Sequence, residues 1–378
     1  MNTGLRIYSI ILSFYHSIIL SLELSELRKR IDALDNELLT LLNQRMSYVK
    51  DVGELKRSQK TVIYRPEREK QILDRLNKLN DGLLSRSAIE AIFLEIFAVS
   101  RNLELPERIA YLGPEGSFTH QAAESRFGGM SEYLVLPTIH AIFDAVETGR
   151  ARFGVVPLEN NQEGMVGETV DLLREKELHI AAEVLLSIHF GFASQNDSLG
   201  KIRRIYSKDI AFRQCSTFLR EYFEDNRVEL IPVESTSKAA RLAFAEPESA
   251  AICSHIAARL YGVPVLFDNI GNSDQNRTRF LIISKDFQNQ KSQADKTTII
   301  ANLPNTNKPG VLFDFLKDFY DRNISLTKIE SRPLREGSSF RYWFYVEFEG
   351  HHEDEPVREI LKKYGSLMKV LGSYVQIS

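Results

Sequence analysis

The pentapeptide NRTRF at residues 276–280 places Thr278 between two arginines. Its last residue opens an apolar run, residues 280–283, that is typical of a buried strand. A hydroxyl held on such a strand could donate a proton to a leaving group while neighbouring guanidinium groups hold an anionic substrate. Taken alone, the pentapeptide is also typical of a strand edge with solvated arginines. Which interpretation holds depends on the segments that position it.

Composition limits the classes of protein to consider. The chain has 378 residues, enough for two or three domains, and its 43% apolar and 26% charged residues are ordinary for a globular protein. The net charge of −3 argues against nucleic acid as a partner. Cys215 and Cys253 are far apart and have no metal-ligand spacing. They favour a reducing compartment, and we expect a cytoplasmic protein without a disulfide framework or a metal site.

Residues 7–22 form an apolar stretch near the start of the sequence, preceded by Arg6. The stretch is shorter than the ~20 apolar residues of a membrane-spanning helix. No small-x-small cleavage site precedes Ser25, although a secretory signal stays open as an alternative. We interpret residues 1–22 as an apolar extension and expect it to pack poorly.

Residues 24–56 carry apolar side chains at helical spacing without a proline. About 33 residues at 1.5 Å each make a helix of roughly 50 Å, too long for the rest of the segment before Pro106 to cover. Further helices are predicted from residue 65 or 66 to residue 79, and over residues 85–103. Three helices, one of them overlong, predict an all-α domain over residues 23–105 that forms an interlocked dimer.

From Arg108 short apolar strands alternate with helices. Strands are predicted at residues 109–112, 134–136, 153–156 and 228–231, and a glycine-rich turn at residues 113–117 leads into a helix. The alternation predicts a two-lobed α/β domain over residues 107–285. Residues 286–296 are interpreted as a polar linker. Residues 297–378 follow the order strand, helix, strand, strand, helix, strand, which predicts an α+β ferredoxin-like domain.

The helical segment carries cations on an otherwise apolar line. Arg45 and Lys56 are eleven residues apart and therefore share one face. Arg28 lies roughly 25 Å before Arg45 along the axis, so it could reach the same site only from a partner chain. Four polar residues on the next two helices extend the set: Arg68, Glu69, Ser100 and Glu104. For any one of these residues, a solvated charged face is the alternative.

As a set, these residues resemble the all-helical chorismate mutase domain. That family rearranges chorismate to prephenate without a metal or a covalent intermediate, by gripping two carboxylates and holding the reactive conformer. The resemblance implies that all seven residues form the site. Arg65 departs from a frequent aspartate, and Glu104 stands where well-known members have a glutamine that donates a hydrogen bond. Because an ionised carboxylate has no proton to donate, we predict that mutase activity falls as pH rises.

Four motifs in order resemble prephenate dehydratase: residues 113–119, residues 157–160 with Gly164, residues 206–207 with residues 214–215, and residues 276–280. The resemblance implies a two-lobed fold similar to type II periplasmic binding proteins. It also implies a reaction in which prephenate loses carbon dioxide and hydroxide to give phenylpyruvate. Thr278 would donate or relay the proton. The other implied residues are Asn160, Ser207 and Gln214, which would orient the substrate, and Arg279, Glu159 and Ser117, which would bind it. Asn161 and the Lys208-Asp209 pair depart from the motifs and bear on fine positioning.

Two motifs of the last segment resemble the ACT domain of phenylalanine-inhibited dehydratases. In that family the two motifs face each other across a dimer interface and bind phenylalanine. The implied effector-binding residues are Gly310, Val311 and Leu312 in one motif and Glu330, Ser331, Arg332 and Pro333 in the other. The alternative is an ACT fold that serves only dimerisation.

The order of the three segments resembles the bifunctional P-protein family of phenylalanine biosynthesis. That resemblance implies chorismate and prephenate as substrates, phenylalanine as effector, and no metal or organic cofactor. It also implies a homodimer, with higher oligomers open, and neither nucleic acid nor membrane as partner. Three alternatives remain: a two-lobed binding protein, a dehydratase with an inactive mutase domain, and a dehydratase that prefers arogenate.

Overall fold

The structure is a computed structural model that describes residues 3–59, 66–104, 108–223, 228–286, 289–292, 295–304, 308–334 and 341–377. The helices are α1 Thr3–Gln59, α2 Pro66–Leu79, α3 Arg86–Glu104, α4 Phe118–Phe127, α5 Ile139–Glu147, α6 Gly167–Glu175, α7 Asp209–Gln214, α8 Ser216–Phe223, α9 Thr236–Ala245, α10 His255–Tyr261, α11 Val311–Asp321 and α12 Glu355–Tyr364. The strands are β1 Arg108–Leu112, β2 Glu132–Leu136, β3 Phe153–Asn160, β4 Gly164–Met165, β5 His179–Ser187, β6 Gly191–Ser194, β7 Arg204–Ser207, β8 Glu229–Pro232, β9 Ser249–Cys253, β10 Val265–Phe267, β11 Arg277–Ser284, β12 Asp295–Ala301, β13 Leu326–Leu334, β14 Arg341–Glu349 and β15 Met368–Ile377. The chain divides into two compact units, Met1–Ile63 with Leu103–Leu105, and Tyr64–Asn102 with Pro106–Ser378.

The first unit is built on α1, which is longer than predicted. The expectation that this helix begins near Leu24 is wrong, because the helix runs unbroken from Thr3. Residues 5–22 contain neither glycine nor proline, so nothing in the apolar stretch stops a helix. The packing of the side chains before Leu24 lies outside the described residues, so the expectation of poor packing stays a prediction. No described helix is both long enough and apolar enough to cross a membrane.

The second unit begins with α2 and α3, whose predicted bounds are confirmed to within a residue. Ser85 caps α3 by accepting a hydrogen bond from the backbone amide of Ala88 at 3.1 Å. Phe97 and Ala98 are buried on α3, and an added Cβ on Gly128 would meet the Ala98 side chain. The two helices therefore pack against the α/β part of the chain.

Within the described residues, two sheets form the α/β part. The smaller has the order β10-β6-β9-β7-β8, and the larger has the order β13-β14-β12-β15-β5-β11-β3-β1-β2, with β4 paired to β3. Strands β1, β2 and β3 are parallel, whereas β11 runs antiparallel between β3 and β5. The prediction of a two-lobed α/β domain followed by a ferredoxin-like domain is confirmed.

The larger sheet crosses the predicted domain boundary. β15 lies parallel to β5, so the strands of the last domain continue the sheet of the first lobe. Trp343, Tyr345 and Tyr374 pack in the same buried cluster as Val156 and Ile180. The last domain and the first lobe therefore share one sheet and one core, which the sequence patterns did not predict.

Candidate active site of the α/β domain

The catalytic threonine predicted from the sequence lies on β11, directly opposite Asn160 on β3. The Asn160 side-chain amide donates to Thr278 Oγ1 at 2.8 Å and to Asn276 Oδ1 at 2.9 Å. Thr278 is only 9% exposed. Because Asn160 is the donor, the threonine oxygen accepts this bond and its own proton is not consumed by it. The structure thus brings two predicted site residues into direct hydrogen-bond contact.

Asn160 is itself held by the backbone. Its side-chain oxygen accepts hydrogen bonds from the amide nitrogens of Gln162 at 2.9 Å and Glu163 at 3.1 Å. Asn161, the residue that departs from the family motif, donates to the carbonyl of Gln275 and accepts from the amide of Arg277 at 3.0 Å. Asn161 therefore connects the end of β3 to the start of β11 through two hydrogen bonds.

A chain of amides connects this pair to Gln214. The Gln214 oxygen accepts a hydrogen bond from Asn276 Nδ2 at 3.2 Å, and its nitrogen donates to Gln162 Oε1 at 2.8 Å. The sequence interpretation did not assign roles to Asn276 and Gln162. Asn276 could have been found, since it opens the same pentapeptide as Thr278, whereas Gln162 is an unremarkable glutamine in a turn.

A cavity of about 220 Å³ lies beside these amides and is lined in part by Gln162, Gln214, Asn276, Ile188, Phe190 and Arg213. It offers amide groups, apolar walls, one arginine and one carboxylate, that of Glu163. Apolar surface with a few polar groups is typical of a small-molecule site. Arg213 was not predicted from the sequence. No local signal distinguishes it from other surface arginines of a helix.

The structure does not place Arg279 where it could bind a substrate carboxylate. Its guanidinium contacts three carboxylates: Glu183 at 2.7 and 3.0 Å, Glu159 at 3.0 Å and Glu347 at 2.7 Å. Burial alone would lower the pKa of Arg279, but Glu183 and Glu347 raise it above its usual range. The expectation that Arg279 binds a substrate carboxylate is corrected, because successive residues of a strand point to opposite faces and Thr278 faces the site.

The expectation that Glu159 binds the substrate is also corrected, because its carboxylate already has partners. Its carboxylate pairs with Arg279 and with Lys328 Nζ, the latter at 2.5 Å. Burial would raise the pKa of the Glu159 carboxyl, yet hydrogen bonds from Lys328 and Arg279 hold it below the usual glutamate value. A carboxylate engaged in this way is not available as a substrate ligand.

Two predicted hydroxyls have structural partners. Ser207 is fully buried and donates to the carbonyl of Ile252 at 2.7 Å inside the smaller sheet, so its expected role in orienting the substrate is corrected. Ser117 caps α4, accepting from the amide of His120 at 3.2 Å and donating to the carbonyl of Leu112 at 3.0 Å. Both bonds of the Ser117 hydroxyl serve the turn that begins the helix, which leaves its role in binding substrate a prediction.

Gly116, in the same turn, lies where the two lobes meet. Its φ is +78°, and a Cβ there would come within 3.1 Å of Ser237 and Ala257. The carbonyl of Gly116 accepts a hydrogen bond from Ser254 at 2.7 Å. Only a residue without a side chain allows this approach.

The predicted mutase residues are divided between the two compact units. Arg28, Arg45, Lys56 and Glu104 belong to the first, and Arg68, Glu69 and Ser100 to the second. In the first unit, Arg28 is exposed, Arg45 is half-buried, and the Lys56 side chain lies outside the described residues. Glu104 packs against Gly53, where an added Cβ would lie 3.2 Å from the Glu104 Cα.

In the second unit, Arg68 is exposed and Ser100 donates to the carbonyl of Ile96 at 2.6 Å. Glu69 is buried and pairs with Arg101 at 2.5 Å and with Arg126 at 2.7 Å. Arg126 comes from α4 of the α/β domain, so the carboxylate predicted for the mutase site is held from the neighbouring domain. No pattern in the sequence predicts this contact.

The predicted effector residues lie at two places in the last domain. Gly310 precedes α11 with a φ of +93°, and Val311 and Leu312 begin the helix. Glu330 to Pro333 lie on β13, an edge strand with alternating burial. Ser331 and Pro333 are exposed, whereas Arg332 binds Asp171 on α6 at 2.6 and 3.1 Å. Arg332 is therefore corrected from an effector ligand to an interdomain contact.

Family models match three stretches of the chain: chorismate mutase type II at residues 27–105, prephenate dehydratase at residues 109–288 and an ACT domain at residues 305–366. The fold and the site thus define a class of enzyme in which a mutase, a dehydratase and an ACT domain follow one another.

Comparison with similar proteins identifies the family within this class. The chain is 40% identical over 359 residues to the bifunctional chorismate mutase/prephenate dehydratase of Aquifex aeolicus, covering 93% of this chain and 98% of that one. It is 38% identical to the enzyme of that name from Pseudomonas aeruginosa, with 93% and 97% covered. The prephenate dehydratase of Arthrobacter aurescens in complex with L-Phe superposes with a TM-score of 0.64 at 30% identity, covering 71% of this chain and 90% of that one. The chain belongs to the bifunctional chorismate mutase/prephenate dehydratase family.

Proposed function

We propose that this chain rearranges chorismate to prephenate and converts prephenate to phenylpyruvate, with Thr278 as the proton donor of the second reaction. The observation that carries the assignment is the hydrogen bond from Asn160 to Thr278 Oγ1 at 2.8 Å. It turns the threonine proton toward other acceptors and stabilises negative charge on the oxygen.

In the second reaction, the carbon–carbon bond to the ring carboxylate breaks and carbon dioxide leaves. The released electron pair enters the ring, and the ring carbon–oxygen bond breaks. Hydroxide is a poor leaving group, so Thr278 gives it a proton and water departs. A solvent proton then restores the hydroxyl. A threonine is a weak acid, and the amide at 2.8 Å lowers the cost of charge on its oxygen.

The substrate carboxylates need a cation, and Arg279 is occupied by three glutamates. Arg213 lines the cavity together with Gln214 and Asn276. We therefore assign carboxylate binding to Arg213 and orientation of the ring hydroxyl to the amide of Gln214, while Asn160 orients Thr278.

The first reaction needs no proton transfer or covalent bond to the protein, only orientation and placed charge. Arg45 and Lys56 on α1 would grip the carboxylates, with Glu104 of the same unit beside them and Arg28 supplied by a partner chain. Support for a homodimer comes from α1, where apolar residues recur every three or four positions and are about half exposed or more: Leu24, Leu27, Ile31, Leu34, Leu38 and Leu41. A seam of this spacing is typical of a helix that packs on another helix.

Phenylalanine is proposed as the effector. The ACT family match and the presence of L-Phe in the Arthrobacter aurescens complex support this assignment. The exposed Ser331 and Pro333 on β13 and the turn at Gly310 are the parts of the two motifs that remain available to a ligand. A cytoplasmic location stays a prediction, supported by the two buried thiols.

The test is phenylpyruvate formation from chorismate and from prephenate in separate assays of the wild type and Thr278→Val. The wild type should give product from both substrates. Thr278→Val should lose at least about 100-fold of its turnover of prephenate, the effect of removing a general acid, while still converting chorismate to prephenate. Thr278→Ser, which keeps a hydroxyl, is the matched control and should retain more activity.

Four results would point elsewhere. Full activity of Thr278→Val would remove Thr278 from the mechanism. Product from prephenate alone would favour the alternative with an inactive mutase domain. Faster turnover of arogenate than of prephenate would change the substrate, and product from neither, in folded protein, would favour the two-lobed binding protein.

A further inference from the structure

A cluster of six charged side chains lies where the ACT domain meets the dehydratase lobe. Three are cations and three are carboxylates: Arg279, Lys296, Lys328, Glu159, Glu183 and Glu347. None of the six side chains is more than 22% exposed. Their charges sum to zero, so each one depends on the others for its compensation.

The cluster lies directly behind the catalytic pair. Thr278 pairs with Asn160 across β11 and β3, and the next pair along the same two strands is Arg279 with Glu159. Neighbouring residues of a strand point to opposite faces. The hydroxyl–amide pair, which is hydrogen-bonded to Asn276 of the cavity wall, therefore lies on the opposite face from the ion pair, which faces the ACT domain.

The backbone at this point has an irregular register. Between Arg279 and Phe280 the pairing to β3 shifts, so that Phe280 faces Pro157. Such bulges re-aim side chains next to a site. A change in the position of Glu159 at the bulge reaches Asn160 through a single peptide bond.

Lys328 is the contact from the edge strand of the ACT domain into this cluster. Its Nζ lies 2.5 Å from Glu159 Oε1. The same face of β13 carries Arg332, which binds Asp171, and the opposite face exposes Ser331 and Pro333. One strand thus presents the predicted effector motif to the outside and its cations to the dehydratase lobe.

We infer that Lys328 is a positioning residue for the dehydratase reaction, holding Asn160 and Thr278 in their active arrangement through Glu159, and that movement of β13 reaches the site through this ion pair. The inference rests on the proposed roles of Thr278 and of phenylalanine. A displacement of about 1 Å in a catalytic pair can cost about 100-fold in rate, so a small shift of Glu159 is sufficient.

Lys328→Met tests the inference. It leaves the cluster with one carboxylate more than its cations and removes one of the two partners of Glu159. We therefore expect kcat for prephenate to fall at least tenfold with little change in KM, and phenylalanine no longer to alter the remaining rate. Phenylalanine should still raise the melting temperature of the variant, since its exposed motif is untouched. Mutase activity should stay within about twofold.

Three further variants separate positioning from general damage. Lys363→Met removes a lysine that pairs with Asp318 elsewhere in the ACT domain and should leave rate and inhibition unchanged. Lys328→Arg should retain both. In the double variant Lys328→Met with Glu159→Gln, no uncompensated carboxylate remains, so most of the lost rate should return although phenylalanine still has no effect.

The pH profile provides a readout that a merely structural lysine would not change. Lys328 is one of the groups that hold the pKa of Glu159 low. In Lys328→Met that pKa rises, so protonation of Glu159 should restore turnover as the pH is lowered, and this acidic recovery should be absent from the double variant.

Unchanged rate and inhibition in folded Lys328→Met would overturn the inference. A loss that Glu159→Gln does not reverse would also overturn it, because the effect would then travel by another route. Failure of the proposed function is distinguishable, since it would appear as an inactive wild type or an active Thr278→Val. If Lys328→Met does not fold, the neutral double variant and Lys328→Arg still decide between these outcomes.

Discussion

Two arginines separated by 66 positions illustrate how little residue type alone says about a role. Arg279 stands beside Thr278 in the sequence, yet it is paired with three glutamates on the opposite face of the strand. Arg213 precedes Gln214 of the third motif but is not itself part of that motif, yet it lines the cavity. The alternation of side chains along β11 explains the position of Arg279. The placement of the short helix α7 explains the position of Arg213.

The two arginines should therefore respond differently to substitution. Arg213→Met should raise the KM for prephenate about tenfold or more, because it removes a charge from the site, and should leave the melting temperature within a few degrees. Arg279→Met should destabilise the fold by about 3–5 kcal/mol, the typical cost of leaving buried carboxylates without their cation. Steady-state kinetics and thermal unfolding measure the two effects. A reversed pattern would restore the assignment of Arg279 to the substrate.

We expect Glu104 to determine how the mutase activity depends on pH. As a carboxyl group it can donate a hydrogen bond only when protonated, so the turnover of chorismate should fall as pH rises. Glu104→Gln donates at every pH and should flatten this fall. The measurement is the rate of chorismate loss in wild type and variant across a pH series. Parallel profiles for the two proteins would remove Glu104 from the site.

At the scale of elements, the contact between β15 and β5 depends on one glycine. Gly372 has a φ of +154°, and a Cβ there would lie 2.5 Å from the Ile180 carbonyl oxygen. Gly372→Ala should therefore push the two strands apart.

We expect Gly372→Ala to lower the free energy of unfolding by about 1–3 kcal/mol, the usual cost of overpacking. Denaturant unfolding measures it. Gly200→Ala is a suitable control, because nothing lies within 4 Å of a Cβ at that position. An equal effect of the two substitutions would contradict the close approach.

The elements show where sequence interpretation succeeds and where it stops. β11 follows from its apolar run, and Thr278 and Asn160 follow from motifs that the pairing of two strands brings together. The partners of Arg279 come from three other strands, and no local pattern relates them. One of the two arginines that pair with Glu69, Arg126, comes from α4 in a different domain. Long-range ion pairs are set by the tertiary fold, so spacing along the chain does not predict them.

At the scale of the whole molecule, α1 presents a seam of exposed apolar side chains that a second chain would cover. Leu34 is 63% exposed and lies in this seam. Leu34→Lys should shift the protein from dimer to monomer and abolish mutase activity, because Arg28 would no longer arrive from the partner.

Light scattering coupled to gel filtration, with mutase and dehydratase assays on the separated peak, measures both effects. Dehydratase activity should fall much less than mutase activity. Asn36→Lys adds the same charge two positions away, on the side of the helix opposite the seam, and should leave the dimer intact. A dimeric Leu34→Lys variant would place the interface elsewhere.

The shared sheet has a consequence for how regulation can be lost. β5 is an interior strand only because β15 lies along its edge, and the buried carboxylate of Glu183 is neutralised in part by Lys296 of the ACT domain. Removing the ACT domain would expose the edge of β5. It would also leave the buried carboxylate of Glu183 without the contribution of Lys296. Simple truncation therefore offers no route to an unregulated enzyme. We expect lineages or selections that escape feedback control to keep the full-length chain and to change single side chains along β13 instead.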